Sequence, residues 1–468
     1  MLFNSYQFVF VFLPIMLVGY ELLALGGVRW SVPVFLVLGS LFFYGWWDWH
    51  YLLLFGFSIA FNYSWAQILR PRPAASADRR HSPHAMLTVG VAINLALLGY
   101  FKYRNFFVTS AAVVAGRQWL MPPIVLPLAI SFFTFEQLTY LTSAWRGEIE
   151  TRDFLSYALF ITFFPHLIAG PIVRYGEIFP QLNRESRYRL SADNLSAGLM
   201  IFAIGLFKKV MIADTFKRWL DPIFDTAAHP GFVDAWAATL AFAFEIYFDF
   251  SGYSDMAIGL ARMLNVRFPE NFDSPYKARG PIEFWRRWHI TLSFFLRDYL
   301  YIPLGGNRRG KLRQHFNLFV TMLLGGLWHG ADWTFVTWGA LHGIALSANH
   351  LWRDRKFKMP PALAWIFTFT FVTLAWVLFR THSVARAGAM FSGMAGLNGF
   401  GWARGSVGPP ELRECLAGLF VVLCCPNRQT IMSWNWRSDY LYAAAFAALA
   451  GTSLLQMSNP PPFIYFQF

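Results

Sequence analysis

Pro361-Ala-Leu-Ala-Trp-Ile-Phe-Thr-Phe-Thr-Phe-Val-Thr-Leu-Ala-Trp-Val-Leu-Phe-Arg380 carries no charge before its last residue. A helix of about 20 residues covers about 30 Å, the depth of a bilayer's hydrocarbon core, so this stretch reads as a membrane-spanning helix. Comparable apolar runs recur near 8–27, 31–46, 49–69, 86–103, 123–145, 154–170, 196–213, 233–262, 315–328, 332–352, 410–425 and 438–457. Several are too short to cross and have to be buried or re-entrant, which leaves about eleven crossings. The expected fold is therefore all-α: a polytopic membrane helix bundle with additional re-entrant or interfacial helices.

Composition agrees. Of 468 residues, 56% are hydrophobic, 19% aromatic and only 14% charged, with 50 Phe and 20 Trp, against about 25% charged in a soluble domain. The net charge of +13 would suggest nucleic acid in a soluble chain. In a membrane protein, cytoplasmic loops collect Lys and Arg, so no nucleic-acid partner is expected. Basic clusters at Arg70, Arg72, Arg79 and Arg80, and at Arg353, Arg355, Lys356 and Lys358, mark such loops. Three crossings before the first cluster place the N-terminus outside. No Lys or Arg precedes the first apolar run and the first cation is Arg29, so that run is expected to be a retained helix and not a cleaved signal peptide. Cys415, Cys424 and Cys425 form no C-x-x-C pair, which gives no sign of a metal or redox centre.

Two regions depart from plain spanning helices. Residues 263–313 mix aromatic and basic residues and carry Pro269, Pro275, Pro281 and Pro303. Such a segment is expected to lie in the interface or dip partway in, with its backbone satisfied by protein. Phe163-Phe-Pro-His-Leu-Ile-Ala-Gly-Pro-Ile-Val-Arg174 is broken in the same way by Pro165 and Gly170-Pro171. No internal repeat of the two-halved transporter kind is visible.

The first broken segment holds Trp285-Arg-Arg-Trp288-His289, and downstream stands Gly325-Gly-Leu-Trp328-His329-Gly330. An ionisable side chain in an apolar setting is costly and therefore a functional candidate. Aromatic neighbours penalise the imidazolium and favour a neutral ring, which can take a proton from a hydroxyl or thiol. A lone buried histidine usually donates to a carbonyl and does nothing more; two Trp-His pairs flanked by glycines favour chemistry. They lie 329 − 289 = 40 residues apart, so any meeting is tertiary. The other histidines, including His50, His166, His342 and His350, read as structural or rim residues.

Glu245, Asp249 and Asp255 sit in one apolar helix, with Glu245 and Asp249 on one face. They need cationic partners, and Arg262, Arg267 or Arg286 are the candidates the sequence offers. A buried ion-pair network and a proton-transfer role both fit. Arg279, Arg286, Arg287, Arg297, Arg308, Arg309, Lys311 and Arg313 surround His289 in sequence. They fit an electropositive rim for an anionic acyl-thioester donor, and equally attraction to anionic lipid. Among them Arg286, Arg287, Arg308 and Lys311 are the donor-binding candidates. Gly305-Gly-Asn-Arg-Arg-Gly-Lys-Leu312 approximates a phosphate-binding P-loop, but Leu312 stands where Ser or Thr should bind magnesium. Neither G-x-S-x-G nor H-E-x-x-H occurs, which argues against serine hydrolases and zinc proteases.

These motifs, with Ser131-Phe-Phe-Thr-Phe135, Tyr247-Phe-Asp-Phe-Ser-Gly-Tyr-Ser-Asp-Met-Ala-Ile258 and Arg297-Asp-Tyr-Leu-Tyr-Ile-Pro-Leu-Gly-Gly-Asn-Arg308, resemble the membrane-bound O-acyltransferase family, in particular its bacterial alginate O-acetylation branch. The resemblance runs nearly end to end. It implies one integral membrane domain over 1–468, with N-terminal helices in 1–150, a catalytic core in 151–352 and C-terminal helices in 353–468. It implies that His329 is the catalytic histidine and His289 the second active-site position. The implied activity is O-acetylation of an exopolysaccharide, alginate first, from acetyl-CoA with no bound cofactor. The implied partners are membrane lipid, a periplasmic or membrane-anchored acetyltransferase and the polysaccharide acceptor, and the implied location is the bacterial cytoplasmic (inner) membrane. Cellulose or peptidoglycan is the alternative acceptor, and a non-enzymatic transporter of donor or polymer the alternative class. Glu136 and Glu245 stand where the family pattern leads one to expect Gln, and Asp332 where a small residue is usual.

Overall fold

Apolar runs become long helices, and prolines and glycines set where they stop. In the computed structural model the described residues are all except 29, 71–82, 118, 120, 123, 150–152, 183–187, 401–406, 435–438, 458–462 and 464–468. Arg29 and the Arg72, Arg79 and Arg80 members of the first basic cluster lie outside them. Every described element is a helix, α, π or 3-10, and there is no strand among the described residues. Phe8–Leu25, Tyr51–Leu69, Pro83–Val114, Ala192–Asp225 and Pro361–Arg380 are each long and apolar enough to cross a bilayer. Ser31–Gly45 is apolar but shorter. The helix Phe232–Met263 is 32 residues long yet carries Asp234, Glu245, Asp249, Asp255 and Arg262, so burial in protein, and not apolarity, accommodates it.

The chain divides into two units, Met1–Phe202 with Ser254–Pro269, and Ala203–Tyr253 with Glu270–Phe468. In the first unit the break around Pro165 is as the sequence indicates. Phe154–Thr162 stops, Phe164–Leu167 forms one turn, and regular helix resumes at Tyr175–Leu182. His166 of that turn is buried and its Nδ1 lies 2.7 Å from Glu136 Oε1, also buried. Glu136 thus has an imidazole for a partner, which accounts locally for a carboxylate at this position.

In the second unit, the proline-rich 263–313 segment is broken into short pieces: Pro275–Lys277, Pro281–Arg287, Ile290–Leu296 and Arg297–Tyr301. None is long enough to span. Beside them stands a hairpin of two long helices, Lys311–His329 and Trp333–Asp354. Its backbones touch through glycines. A Cβ on Gly326 would lie 2.3 Å from the Phe335 carbonyl oxygen, and one on Gly339 would lie 2.3 Å from the Met322 carbonyl oxygen. Small residues are what let helices pack this closely where no hydrophobic force drives them together. Gly330 closes the hairpin, since a Cβ there would strike the Phe335 ring at 2.1 Å. Asp332 caps the second helix by accepting from the Thr334 N–H at 2.9 Å. Thus the glycines beside Trp328-His329 serve packing, and they fix where His329 ends up.

The buried carboxylates are matched differently from expectation. Lys209, on the π-helical turn Lys208–Ala213, places its Nζ 2.6 Å from both Asp249 Oδ1 and Asp214 Oδ1. Lys217 lies 3.8 Å from Glu245. The partners of Glu245 and Asp249 are therefore these lysines and not Arg262, Arg267 or Arg286. The π turn delivers Lys209, and the helix Asp214–Asp225 that follows it delivers Lys217, to one face of Phe232–Met263. Nearby, Arg380 binds Asp221 and Asp225 at 2.8 and 2.9 Å.

The hairpin contact has a direct check. Gly339→Ala should lower the stability of the purified protein by about 1–3 kcal/mol or more, read as an earlier thermal transition in tryptophan fluorescence. Gly56→Ala, where nothing lies within 4 Å of the new Cβ, should melt as the unaltered protein does. Equal melting of both variants would contradict the packing argument.

Candidate active site

His289 and His329 come together. Their ring centroids lie 6.4 Å apart, although one imidazole sits between two seven-residue helices and the other ends the first arm of the hairpin. His289 is 0% and His329 4% exposed. Aromatic rings wall the pair. Phe250 meets His289 edge-on at 4.7 Å, Phe272 lies at 6.5 Å and Trp328 at 6.4 Å. Trp338 and Phe379 meet His329 edge-on at 5.3 and 5.2 Å. Such a box excludes water and strengthens every polar interaction formed within it.

The backbone pays a conformational cost to aim His289. Its φ is 42° and ψ 55°, the left-handed region that a non-glycine residue rarely adopts, and such strain clusters at functional sites. The preceding loop holds it there. The Ile290 N–H donates to the Asn271 carbonyl at 2.9 Å, the Asp273 N–H donates to the Arg287 carbonyl at 2.9 Å, and His289 Nδ1 lies 3.1 Å from Asn271 Oδ1. His289 lies on no spanning helix, and complete burial pushes its pKa down to about 3. The ring is neutral across the physiological range.

A third imidazole, which sequence reasoning left as structural, belongs to the same aromatic core. His342 is buried and accepts from Trp285 Nε1–H at 3.1 Å. Its ring lies 4.7 Å from that of Trp338, which in turn contacts His329. No sequence signal separates His342 from an ordinary helix residue, since its neighbours arrive from elsewhere in the chain.

The short helix Pro281–Arg287 helps line a cavity of about 930 Å³, whose lining includes Arg279, Arg286, Arg287 and Arg353 with Asp273 and Glu283. Arg287 is engaged, 3.0 Å from Glu283 and 3.3 Å from Asp273. Arg279, Arg286 and Arg353 make no side-chain ion pair among the described residues, so their guanidinium groups are available to an anion. Two donor-binding candidates, Arg286 and Arg287, therefore line this cavity. Arg308 and Lys311 are not among its lining residues, and Lys311 pairs with Asp354 at 2.8 Å. Arg279 and Arg353 join the cavity through folding. Gly305-Gly306 lie in a turn ahead of the Lys311–His329 helix, not after a strand, so a P-loop is absent. Among the described residues no group of three His, Cys, Asp or Glu side chains could hold a metal ion.

A buried pair of imidazoles and a cavity with unpaired arginines, in a chain of membrane-crossing helices, mark the class as a membrane enzyme. Comparison with known proteins gives the class a family. The profile of the membrane-bound O-acyltransferase family matches residues 124–384. The chain is 39% identical to the peptidoglycan O-acetyltransferase of Helicobacter pylori, over 100% of this chain and 98% of that one. It is 44% identical to the probable alginate O-acetylase AlgI of Pseudomonas putida, over 84% of this chain and 80% of that protein. A teichoic acid D-alanyltransferase of Streptococcus thermophilus is 28% identical over 54% of this chain and 68% of its own length. The chain belongs to the membrane-bound O-acyltransferase family. It is an acyltransferase and a multi-pass protein of the bacterial cytoplasmic membrane.

Proposed function

We propose that this protein moves an acetyl group from acetyl-CoA, entering from the cytoplasm, to a hydroxyl of an exopolysaccharide, alginate first, directly or through a periplasmic or membrane-anchored acetyltransferase. The observation that carries the reading is the 6.4 Å imidazole pair in its closed aromatic box. An acyl transfer needs a base where water is scarce, because water would otherwise take the acyl group. His329 takes the proton of the attacking hydroxyl as its oxygen bonds to the thioester carbonyl carbon. The carbon–sulfur bond then breaks, and the imidazolium returns that proton to the departing thiolate. Transfer leaves ester and free thiol, with the imidazole restored.

The arginine cavity supports an anionic donor. Arg279, Arg286 and Arg353 suit the phosphates of coenzyme A, and the apolar pocket wall suits its pantetheine arm. Alginate as acceptor is supported by the 44% identity to the probable alginate O-acetylase. Peptidoglycan is the second reading, favoured by the match to the peptidoglycan O-acetyltransferase over 98% of that protein's length.

Two measurements test this. Purified protein with radiolabelled acetyl-CoA should transfer label to an oligosaccharide acceptor, alginate oligomers above peptidoglycan fragments. His329→Ala should abolish transfer with protein level and membrane insertion unchanged; retained transfer, or no turnover by the unaltered protein with any acceptor, would defeat the reading. Separately, Arg353→Ala should raise the KM for acetyl-CoA about tenfold with kcat little changed, the pattern of lost ground-state binding. An unchanged KM would remove the cavity from the donor path.

A further inference from the structure

Asn271 lies 18 residues before His289 in sequence, yet it is the one side chain that hydrogen-bonds the His289 ring among the described residues. It is 1% exposed, in the loop that runs beside residues 287–290. Its amide is oriented by a second contact. Asn271 Oδ1 accepts from the Thr291 backbone N–H at 3.4 Å and from the Thr291 hydroxyl at 2.9 Å. A backbone N–H can only donate, so the Asn271 atom it faces is the oxygen and not the NH₂. The same oxygen faces His289 Nδ1 at 3.1 Å. An acceptor there requires that Nδ1 carry the proton. In a neutral ring the other nitrogen, Nε2, then holds the lone pair. Nε2 is fully buried and finds no hydrogen-bond partner among the described residues.

We infer that Asn271 is a positioning residue that locks His289 in the Nδ1–H tautomer and reserves Nε2 as a hydrogen-bond acceptor for a second hydroxyl of the acceptor sugar, next to the attacking one. The inference rests on the acyl-transfer reading above and refines it. A second imidazole at such a centre can orient the reactants or stabilise the oxyanion. A neutral imidazole whose sole proton is spent on Asn271 has none to give an oxyanion. It can accept from a second hydroxyl of the acceptor sugar, and so hold the attacking oxygen in line with the thioester carbonyl while His329 takes that oxygen's own proton. Asn271 touches no substrate atom. It acts through His289, as the partner of an imidazole commonly fixes which nitrogen is bare.

The test compares Asn271→Leu and Asn271→Asp with the unaltered protein and with His329→Ala, in purified acetyl transfer over a pH range. Asn271→Leu removes the acceptor and frees both tautomers, so kcat should fall on the order of 10²-fold with donor KM unchanged. Asn271→Asp keeps the acceptor oxygen and the Thr291 contacts, so the fold is retained and the variant carries the test even if Asn271→Leu does not fold. A carboxylate beside Nδ1–H favours the imidazolium and raises the pKa of His289. The ring must be neutral to accept, so the acid limb of the kcat profile should move to higher pH by a unit or more, with activity restored above it. Among the described residues His329 is the only titratable group in ring contact with His289, and its own limb is common to both proteins. Selective ¹⁵N-histidine labelling should show His289 with a protonated Nδ1 and a bare Nε2. Normal kcat and an unmoved profile in Asn271→Asp would overturn the inference, as would equal losses in both variants at every pH. If His329→Ala also keeps full activity, the acyl-transfer reading falls too; if only His329→Ala is inactive, the inference alone fails.

Discussion

An imidazole kept in a water-poor aromatic interior has to be held there by the protein, because nothing in that interior solvates it. The site depends on meeting this constraint twice within 6.4 Å. His329 is delivered by two helices that touch backbone to backbone at Gly326 and Gly339. His289 is delivered by a left-handed residue between two short helices. Either delivery alone would place one imidazole against aromatic rings, a packed histidine without a partner in chemistry. Together they make an aromatic box with two imidazoles, the setting in which the proposed acyl transfer would activate a hydroxyl without water competing for the acyl group.

The charged groups obey the same constraint elsewhere. Lys209 answers Asp249 and Asp214, Lys217 answers Glu245, and Arg380 answers Asp221 and Asp225. Breaking one partner of such a buried pair costs far more than the pair contributes over an apolar replacement. These networks are therefore best understood as what permits an apolar helix carrying buried carboxylates, Phe232–Met263, to bring Phe250 against His289. The arginine-lined cavity shows the converse. Its free arginines lie on an open face, where an unpaired cation is tolerated because water or an anionic ligand satisfies it.

Much of this was legible in the residues. The apolar runs announce helices, the prolines between 263 and 313 announce their interruption, and the Trp-His pairs announce the imidazoles, since each of these signals is local. What was not legible is tertiary. Arg262, Arg267 and Arg286 were the partners expected for the buried carboxylates, whereas the π turn Lys208–Ala213 brings Lys209 from the preceding helix. Asn271 looks like any polar loop residue until the loop is folded back along 287–290. Arg279 and Arg353 are separated by the whole hairpin and meet only in the cavity. The glycines of Gly325-Gly-Leu-Trp-His read as flanks of a catalytic motif, whereas Gly326 lets two backbones touch and Gly325 makes room for the Leu296 side chain.

The proposed chemistry needs one reaction centre shared by two histidines. Its most direct test is a structure of the protein bound to a thioether analogue of acetyl-CoA that cannot transfer its acyl group. The expected result places the acetyl carbonyl between the His289 and His329 rings, within hydrogen-bond reach of an acceptor hydroxyl, with the nucleotide phosphates among Arg279, Arg286 and Arg353. An analogue bound in the arginine cavity with its acetyl group turned away from both imidazoles would contradict the account.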